Sequence, residues 1–270
     1  MTRAGFHRTV AAAALAAAVL LPGSRLPASP AWVWELPPGV ATPPVPADHP
    51  MSPALVELGR HLFYDTRLSA NDTQSCATCH QQTRAFTDGR RHGLGSTGEP
   101  HVRNSMSLVN VAYAETLTWA HPTLTSLEDQ ALVPMFGTAP VELGRREADT
   151  RWLDRLAVDP VYARLVPAAL SGASRLTVSH VTRALAAFER SIVSMRSPWD
   201  RYHASTGTTR RSRRRQDRGG VLFHSRAALR CFTCHGGLHF SGCDECRPPA
   251  SSRTQHRPLQ PARGAVVSGA

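Results

Sequence analysis

Two copies of one five-residue pattern constrain this chain more than any other feature: residues 76–80 read CATCH and residues 231–235 read CFTCH. Two thiols three positions apart can reach the two vinyl groups of one porphyrin, while the adjacent imidazole ligates the iron. Composition alone predicts only about 0.006 such matches in the chain. The repeated pattern therefore predicts two covalently attached c-type haems.

This interpretation assigns a role to six residues, two thioether cysteines and one proximal histidine in each copy. The residues are Cys76, Cys79 and His80 in the first copy and Cys231, Cys234 and His235 in the second. A disulfide or half of a zinc site is the alternative for each cysteine pair. A third pair, Cys243 and Cys246, lacks the histidine and is not a haem site by this reasoning.

The amino terminus has the pattern of a secretory signal. Arg3, His7 and Arg8 form a basic start, residues 11–21 form an apolar run too short to span a bilayer, and small residues near position 31 end the segment. Haem attachment requires thiols that are delivered reduced to haem outside the cytoplasm. We expect residues 1–31 to be a signal peptide and the protein to be periplasmic, with no membrane span after the signal is removed.

The formal net charge of +11 raises nucleic-acid binding as a hypothesis. Nearly all of this charge lies in the leader, in the arginine run over residues 210–218 and in the tail from residue 244 onward. The remaining body is almost neutral, and no recognition motif accompanies the arginine run. We therefore predict no nucleic-acid partner.

Hydrophobic periodicity predicts a mostly α fold. Ser52 and Pro53 begin one helix, Asp159 begins a second, and Thr177 begins a long third helix whose apolar face continues to Met195. No segment alternates with period two over a useful length. The two motifs are far enough apart for each haem to have its own small helical domain.

The predicted organisation has five parts. They are a signal peptide (1–31), a Pro-rich extended segment (32–50), an N-terminal haem domain (51–203), the start of a second haem domain (204–242) and a disordered or aberrant tail (243–270).

Five segments carry a pattern that extends beyond the haem motif itself. They are GRHLFYDTRLS (59–69), SCATCH (75–80), RNSMSLVN (103–110), LEDQA (127–131) and PVEL (140–143). Together they resemble the bacterial di-haem cytochrome c peroxidase family, which includes the MauG-type enzymes that oxidise protein side chains. The similarity covers roughly residues 50–203 and 219–242. The stretch LVPMFG (132–137) resembles the di-haem oxidases found with methanobactin genes.

The resemblance implies two cytochrome c-like domains, the second incomplete, and a role for each matching residue. Peroxide reacts at the His80 haem, Gln130 and Glu142 form the distal pair, Trp119 lies between the haems, and Asn104 helps to hold a calcium ion. A carboxylate near the iron suits this chemistry because it can take a proton from peroxide and return it to the leaving oxygen. His92 and His101 match no family ligand position and are interpreted as loop histidines, which implies a five-coordinate iron.

The predicted function is peroxide reduction with electrons from a small cytochrome c or copper protein. The alternatives are a MauG-like oxidase that modifies a protein substrate, a non-catalytic electron-transfer cytochrome and a truncated remnant. Residues 204–219 depart from the family pattern, the similarity stops after residue 242, and the chain has no lysine. These features favour a frameshifted or truncated product of a GC-rich gene.

Overall fold

A computed structural model describes residues 30–118, 123–173, 175–204, 214–225, 229–236 and 239–240. Within these ranges every regular element is helical, and β pairing is limited to isolated bridges. The mostly α prediction is therefore confirmed. The helices are α1 (Pro53–Tyr64), α2 (Cys76–Cys79), α3 (Leu127–Phe136), α4 (Arg151–Ala157), α5 (Pro160–Ala169), α6 (Val178–Ser191), α7 (Pro198–Ala204) and α8 (Arg214–His224).

Several predictions concern residues outside the described ranges. They are the signal segment up to residue 29, Trp119, residues 205–213 with the first part of the arginine run, and the tail from residue 241 with Cys243 and Cys246. The predicted domain boundaries stay predictions.

The three predicted helix starts are confirmed, each with a side-chain oxygen that accepts a hydrogen bond from the first turn. The capping bonds run from Leu55 N to Ser52 Oγ (3.1 Å), from Val161 N to Asp159 Oδ1 (2.8 Å) and from His180 N to Thr177 Oγ1 (3.2 Å).

The prediction that α6 continues to Met195 was wrong, because the helix ends at Ser191. The next residues bond to Asn110 instead of continuing the helix. Asn110 N donates to Ile192 O (2.8 Å), and the Asn110 side chain bonds both the N–H and the carbonyl of Ser194 (2.7 and 2.9 Å). Met195 stays buried although it lies outside the helix.

The core forms where α1 and α6 cross, with α3 and α5 packed beside them. Leucines on one face of α1 pack against the apolar face of α6. The contributing side chains are Leu55, Leu58, Leu62, Val181, Leu185 and Phe188. The short helix α2, which carries the first cysteine pair, packs against α1 of this crossing.

Residues 30–50 contain turns but no helix or strand, and they lie against this core. Trp32 N donates to Met51 O (3.2 Å), and Trp32, Trp34 and Val45 pack on the buried cluster. Tyr113 Oη donates to Ala41 O at 2.9 Å.

Within the described residues, no helix has the length and hydropathy that a membrane crossing needs.

Candidate haem sites

The first cysteine pair lies on a single helical turn. Ser75 N donates to Thr78 Oγ1 (3.0 Å), and His80 N donates to Cys76 O (2.9 Å), so both ends of α2 have hydrogen-bond partners. The turn places Cys76 and Cys79 on one short element immediately before His80. This is the compact arrangement that attachment to one porphyrin needs.

The His80 imidazole is fixed by a backbone carbonyl. Its Nδ1 lies 2.9 Å from Phe86 O, and because a carbonyl only accepts, Nδ1 carries the proton. Nε2 is then the ring nitrogen that could ligate a metal, and the Met106 backbone also lies at hydrogen-bond distance from the imidazole. Ala85 and Phe86 both have positive φ (54° and 58°), and this turn brings the chain back toward the imidazole. Burial lowers the pKa of His80 and favours the neutral, ligating form.

The two thiols are free, and no disulfide joins them. Burial raises the pKa of Cys76, and the nearby carboxylates of Glu189 and Glu142 raise it further. The pKa of Cys79 is raised by burial and then by Glu142 and Asp88. Uncharged thiols beside a neutral imidazole fit the apolar edge of a porphyrin, so these residues suit the predicted haem.

Glu142 faces this site from a separate loop. Two backbone bonds tie the loop to the end of α3, from Leu143 N to Pro134 O (2.8 Å) and from Arg145 N to Met135 O (2.9 Å). Burial raises the pKa of Glu142, and the positive charge of His101 opposes that shift. Glu142 raises the pKa of both thiols, so its carboxyl group lies near the first cysteine pair, and its distal role stays a prediction.

Gln130 lies half-buried on α3, the helix to which the Glu142 loop is tied. Pro134 has no N–H, so the Gln130 carbonyl lacks the usual donor four residues on. Asn104 is exposed, and its amide lies 3.5 Å from Ser105 O. The distal role of Gln130 and the calcium role of Asn104 stay predictions, and Trp119 lies outside the described residues.

Sequence analysis assigned no functional role to two residues near the first site, His101 and Glu189. His101 was interpreted as an ordinary loop histidine, yet the structure brings it close enough to Glu142 to influence its pKa. Glu189 is buried in α6, and its Oε2 has no hydrogen-bond partner among the described residues. The sequence did contain a signal that Glu189 is unusual. The residue follows Phe188 on the apolar face of α6, where a carboxylate is rarely found.

The second motif repeats the histidine contact of the first, but on a 3-10 turn (Cys231–Thr233) instead of an α-helical turn. His235 Nδ1 lies 3.1 Å from the carbonyl of Phe240, which also has positive φ (52°), so Nε2 is again available to a metal. Cys231 and Cys234 are free thiols. The surroundings differ, since Cys234, His235 and Phe240 are exposed in the described part of the chain. Both sets of residues fit a haem, and the second is the more open.

Trp199 and His224 pack beside the second motif. Their rings stack at 5.5 Å with an interplanar angle of 4°, and Phe232, inside the motif, stacks on His224 at 6.1 Å. This contact joins α7 and α8 to the second motif.

A helical scaffold with two such sites defines the class of cytochrome c-like haem proteins. Residues 53–208 match the family model for di-haem cytochrome c peroxidases, and the chain belongs to this family. The predicted resemblance is therefore confirmed.

Among curated relatives, the chain is 34% identical over 198 residues to methylamine utilization protein MauG of Methylorubrum extorquens, covering 73% of this chain and 54% of that protein. It is 35% identical over 196 residues to cytochrome-c peroxidase IdrP1 of Denitromonas iodatirespirans, covering 72% of this chain and 50% of that protein. The chain thus spans about half the length of these relatives.

Among solved structures, the chain resembles a MauG-like protein associated with microbial copper homeostasis. The TM-score is 0.72 with 38% sequence identity, and the match covers 82% of this chain and 63% of that one. The diheme peroxidase BthA of Burkholderia thailandensis has the same fold, with a TM-score of 0.55 at 23% identity.

Proposed function

We propose that this protein is a periplasmic oxidoreductase that reduces hydrogen peroxide at the His80 site. Electrons enter through the His235 site from a small cytochrome c or copper protein. The observation that carries the proposal is the presence of Glu142, a carboxyl group with a raised pKa, beside the first pair of thiols. An electron carrier has no need of a proton-binding group at this position. The family's cytochrome c peroxidases support the same reaction class.

The reaction consumes two protons and two electrons for each peroxide, which yields two waters. A bound haem supplies an iron that exchanges electrons and accepts peroxide. Glu142 takes the first proton from peroxide and returns it to the leaving oxygen, which requires a pKa near the working pH. Burial moves the Glu142 pKa in that direction. Gln130 provides an amide that orients peroxide without competing for protons.

Covalent attachment of both haems and export to the periplasm belong to this proposal. The four free thiols support attachment, and His80 and His235 would ligate the two irons. Attachment in turn supports the periplasm, where haem is joined to reduced thiols.

A second candidate is a MauG-like oxidase that draws electrons from a protein side chain instead of a donor protein. Similarity to MauG and to the MauG-like copper-homeostasis protein favours this candidate. Both candidates use the same peroxide site and differ in the electron source. Turnover with a reduced cytochrome or copper protein supports the first, and oxidation of a protein substrate without such a donor supports the second.

The test compares wild type with Glu142→Gln at equal haem content. We expect the peroxide-dependent change in haem absorbance to slow by about 10² or more in stopped flow, the scale of a positioned acid–base group. Glu99→Gln, at an exposed position of the neighbouring loop, is the matched control and keeps the wild-type rate. Equal rates for all three proteins remove Glu142 from the mechanism and favour a simple electron carrier.

A further inference from the structure

A group of aromatic rings connects the turn behind His80 to the protein surface. The carbonyl of Phe86 lies 2.9 Å from His80 Nδ1, and the Phe86 ring contacts the Phe63 ring with centroids 6.1 Å apart. Phe63 in turn contacts Tyr64 at 5.4 Å. Both pairs meet edge to face, which is a favourable geometry for neighbouring rings. Aromatic contacts therefore extend without a break from the residue that holds His80 to Tyr64.

Phe188 of α6 adds a second connection within this group. Its ring centroid lies 5.0 Å from that of Phe63 and 6.5 Å from those of both Tyr64 and Phe86. The three phenylalanines are buried, so close packing fixes the separation of their rings. We call Phe63, Tyr64, Phe86 and Phe188 the aromatic cluster. It offers two routes of similar length between the His80 turn and Tyr64.

Tyr64 is the member of the aromatic cluster that reaches solvent and that can be oxidised. Its exposed fraction is 43%, and its Oη donates to Gln82 Oε1 at 3.4 Å. A phenol that releases its proton gives up an electron far more readily than a phenyl ring does. Because water reaches the hydroxyl group, it can accept that proton. An electron drawn through the cluster therefore comes from Tyr64.

An open polar cleft of about 470 Å³ adjoins the Tyr64 phenol. Besides Tyr64, the residues that line it include Ser75, Thr78, Gln81, Gln82 and Thr83. Their hydroxyl and amide groups both donate and accept hydrogen bonds. A small molecule with a hydroxyl group and an aromatic ring can find partners there, next to the Tyr64 ring. The cleft thus gives such a molecule direct access to the exposed end of the aromatic cluster.

We propose that Tyr64 is a redox-active residue through which the His80 site oxidises a small phenol held in this cleft. The inference rests on the proposed function, because hydrogen peroxide is the oxidant at the His80 site. It adds an electron entry at Tyr64 that is separate from the His235 site.

Two steps make up one cycle. Tyr64 first gives one electron to the oxidised His80 site through the aromatic cluster and its phenolic proton to water. The Tyr64 radical then takes one electron and one proton from the bound phenol, whose O–H bond breaks and which leaves as a phenoxyl radical. Two cycles supply the two electrons for one peroxide, and the two protons released to water balance the two that peroxide reduction consumes. Tyr64 is restored at the end of each cycle.

The first test uses the haem-loaded full chain as wild type, Tyr64→Phe and Tyr113→Phe. Each protein is frozen soon after mixing with peroxide, without an electron donor, and measured by electron paramagnetic resonance. We expect a tyrosyl radical signal in wild type that is lost in Tyr64→Phe. Tyr113→Phe is the matched control and keeps the signal, since Tyr113 is a half-buried phenol outside the aromatic cluster. An unchanged signal in Tyr64→Phe, or no signal in wild type, overturns the inference.

The second test measures peroxide-dependent oxidation of guaiacol, a small phenol, at equal haem content. We expect Tyr64→Phe to lower kcat/KM for guaiacol about tenfold or more, while Tyr113→Phe keeps the wild-type value. Equal values for all three proteins overturn the inference.

The peroxide-dependent change in haem absorbance separates the two levels of the argument. If wild type shows this change but neither the radical nor the guaiacol oxidation depends on Tyr64, the inference fails and the proposed function stands. If wild type shows no such change, the proposed function fails, and the inference fails with it.

Discussion

Gly59 of α1 lies directly against the carbonyl of Ala184 in α6. A Cβ added to Gly59 would stand 1.8 Å from that oxygen and 2.9 Å from Phe188 Cβ. Neither neighbour is the end of a flexible side chain, so the helices must separate to admit a methyl group. This contact between the two main core helices therefore depends on the missing side chain.

Gly59→Ala is expected to destabilise the protein by about 3 kcal/mol, because overpacking exceeds the gain of up to about 1 kcal/mol from helix propensity. Urea unfolding measures the difference. Gly219→Ala is the matched control, since Gly219 lies in α8 with no atom within 4 Å of the added Cβ. An equal response of both variants would show that the contact with Ala184 does not limit the packing.

Glu128 and Arg190 join α3 to α6 through two parallel hydrogen bonds of 2.7 and 2.8 Å. Both side chains are nearly buried, with 11% and 6% exposed. Glu128→Gln leaves the guanidinium without its counter-charge, and we expect a loss of about 3–5 kcal/mol in urea unfolding. Glu57→Gln breaks a similar but exposed pair with Arg60 and is expected to cost less than about 1 kcal/mol.

The Glu128 pair also predicts the response to acid. Burial alone would raise the pKa of Glu128, but the hydrogen bonds and charge of Arg190 outweigh it and hold the pKa below its ordinary value of 4.5. The stability from this pair is therefore present above that value and is lost as pH falls through the lower folded pKa. Glu128→Gln should remove this part of the acid sensitivity.

Local sequence signals predicted the helix starts well, because each depends on neighbouring residues. Ser52, Asp159 and Thr177 act as caps regardless of the rest of the fold. The end of α6 could not be predicted in this way. It depends on Asn110, whose side chain bonds Ser194 from 84 residues away.

The first haem site also combines features that neighbouring residues determine with features that depend on distant parts of the chain. The Cys76–His80 motif predicts its own geometry, since its residues are contiguous. The neighbourhood of His101 and Glu142 depends on the Gly95 contact with Val141, which no periodicity indicates. The family resemblance assigned Glu142 but contained no corresponding role for His101.

The raised pKa of Glu189 predicts that the free energy of unfolding decreases as pH rises toward neutrality. Burial raises its pKa to about 8. The charge of Arg190 lowers this pKa, and the charge of Glu128 raises it. Between the ordinary value of 4.5 and about 8 the folded protein keeps a proton that the unfolded chain has lost. The free energy of unfolding therefore falls as pH rises through this window.

Glu189→Gln removes this titration and should flatten the pH dependence, with the largest stabilisation relative to wild type near pH 8. Urea unfolding at three pH values across the window gives the comparison. Glu147→Gln changes an exposed carboxylate and serves as control. A wild-type pH dependence in Glu189→Gln contradicts the prediction.

The two motifs predict a defined mass for the mature protein. After expression with a c-type haem maturation system, the denatured chain should retain two haems by mass spectrometry, because thioethers survive denaturation. Replacing both first-site cysteines by serine should remove one haem mass, and replacing Cys231 and Cys234 should remove the other. The outcomes separate the alternatives, since a disulfide lowers the mass by two hydrogens and a zinc ion is lost on denaturation. Retention of two haems in either double variant would contradict the assignment of that motif.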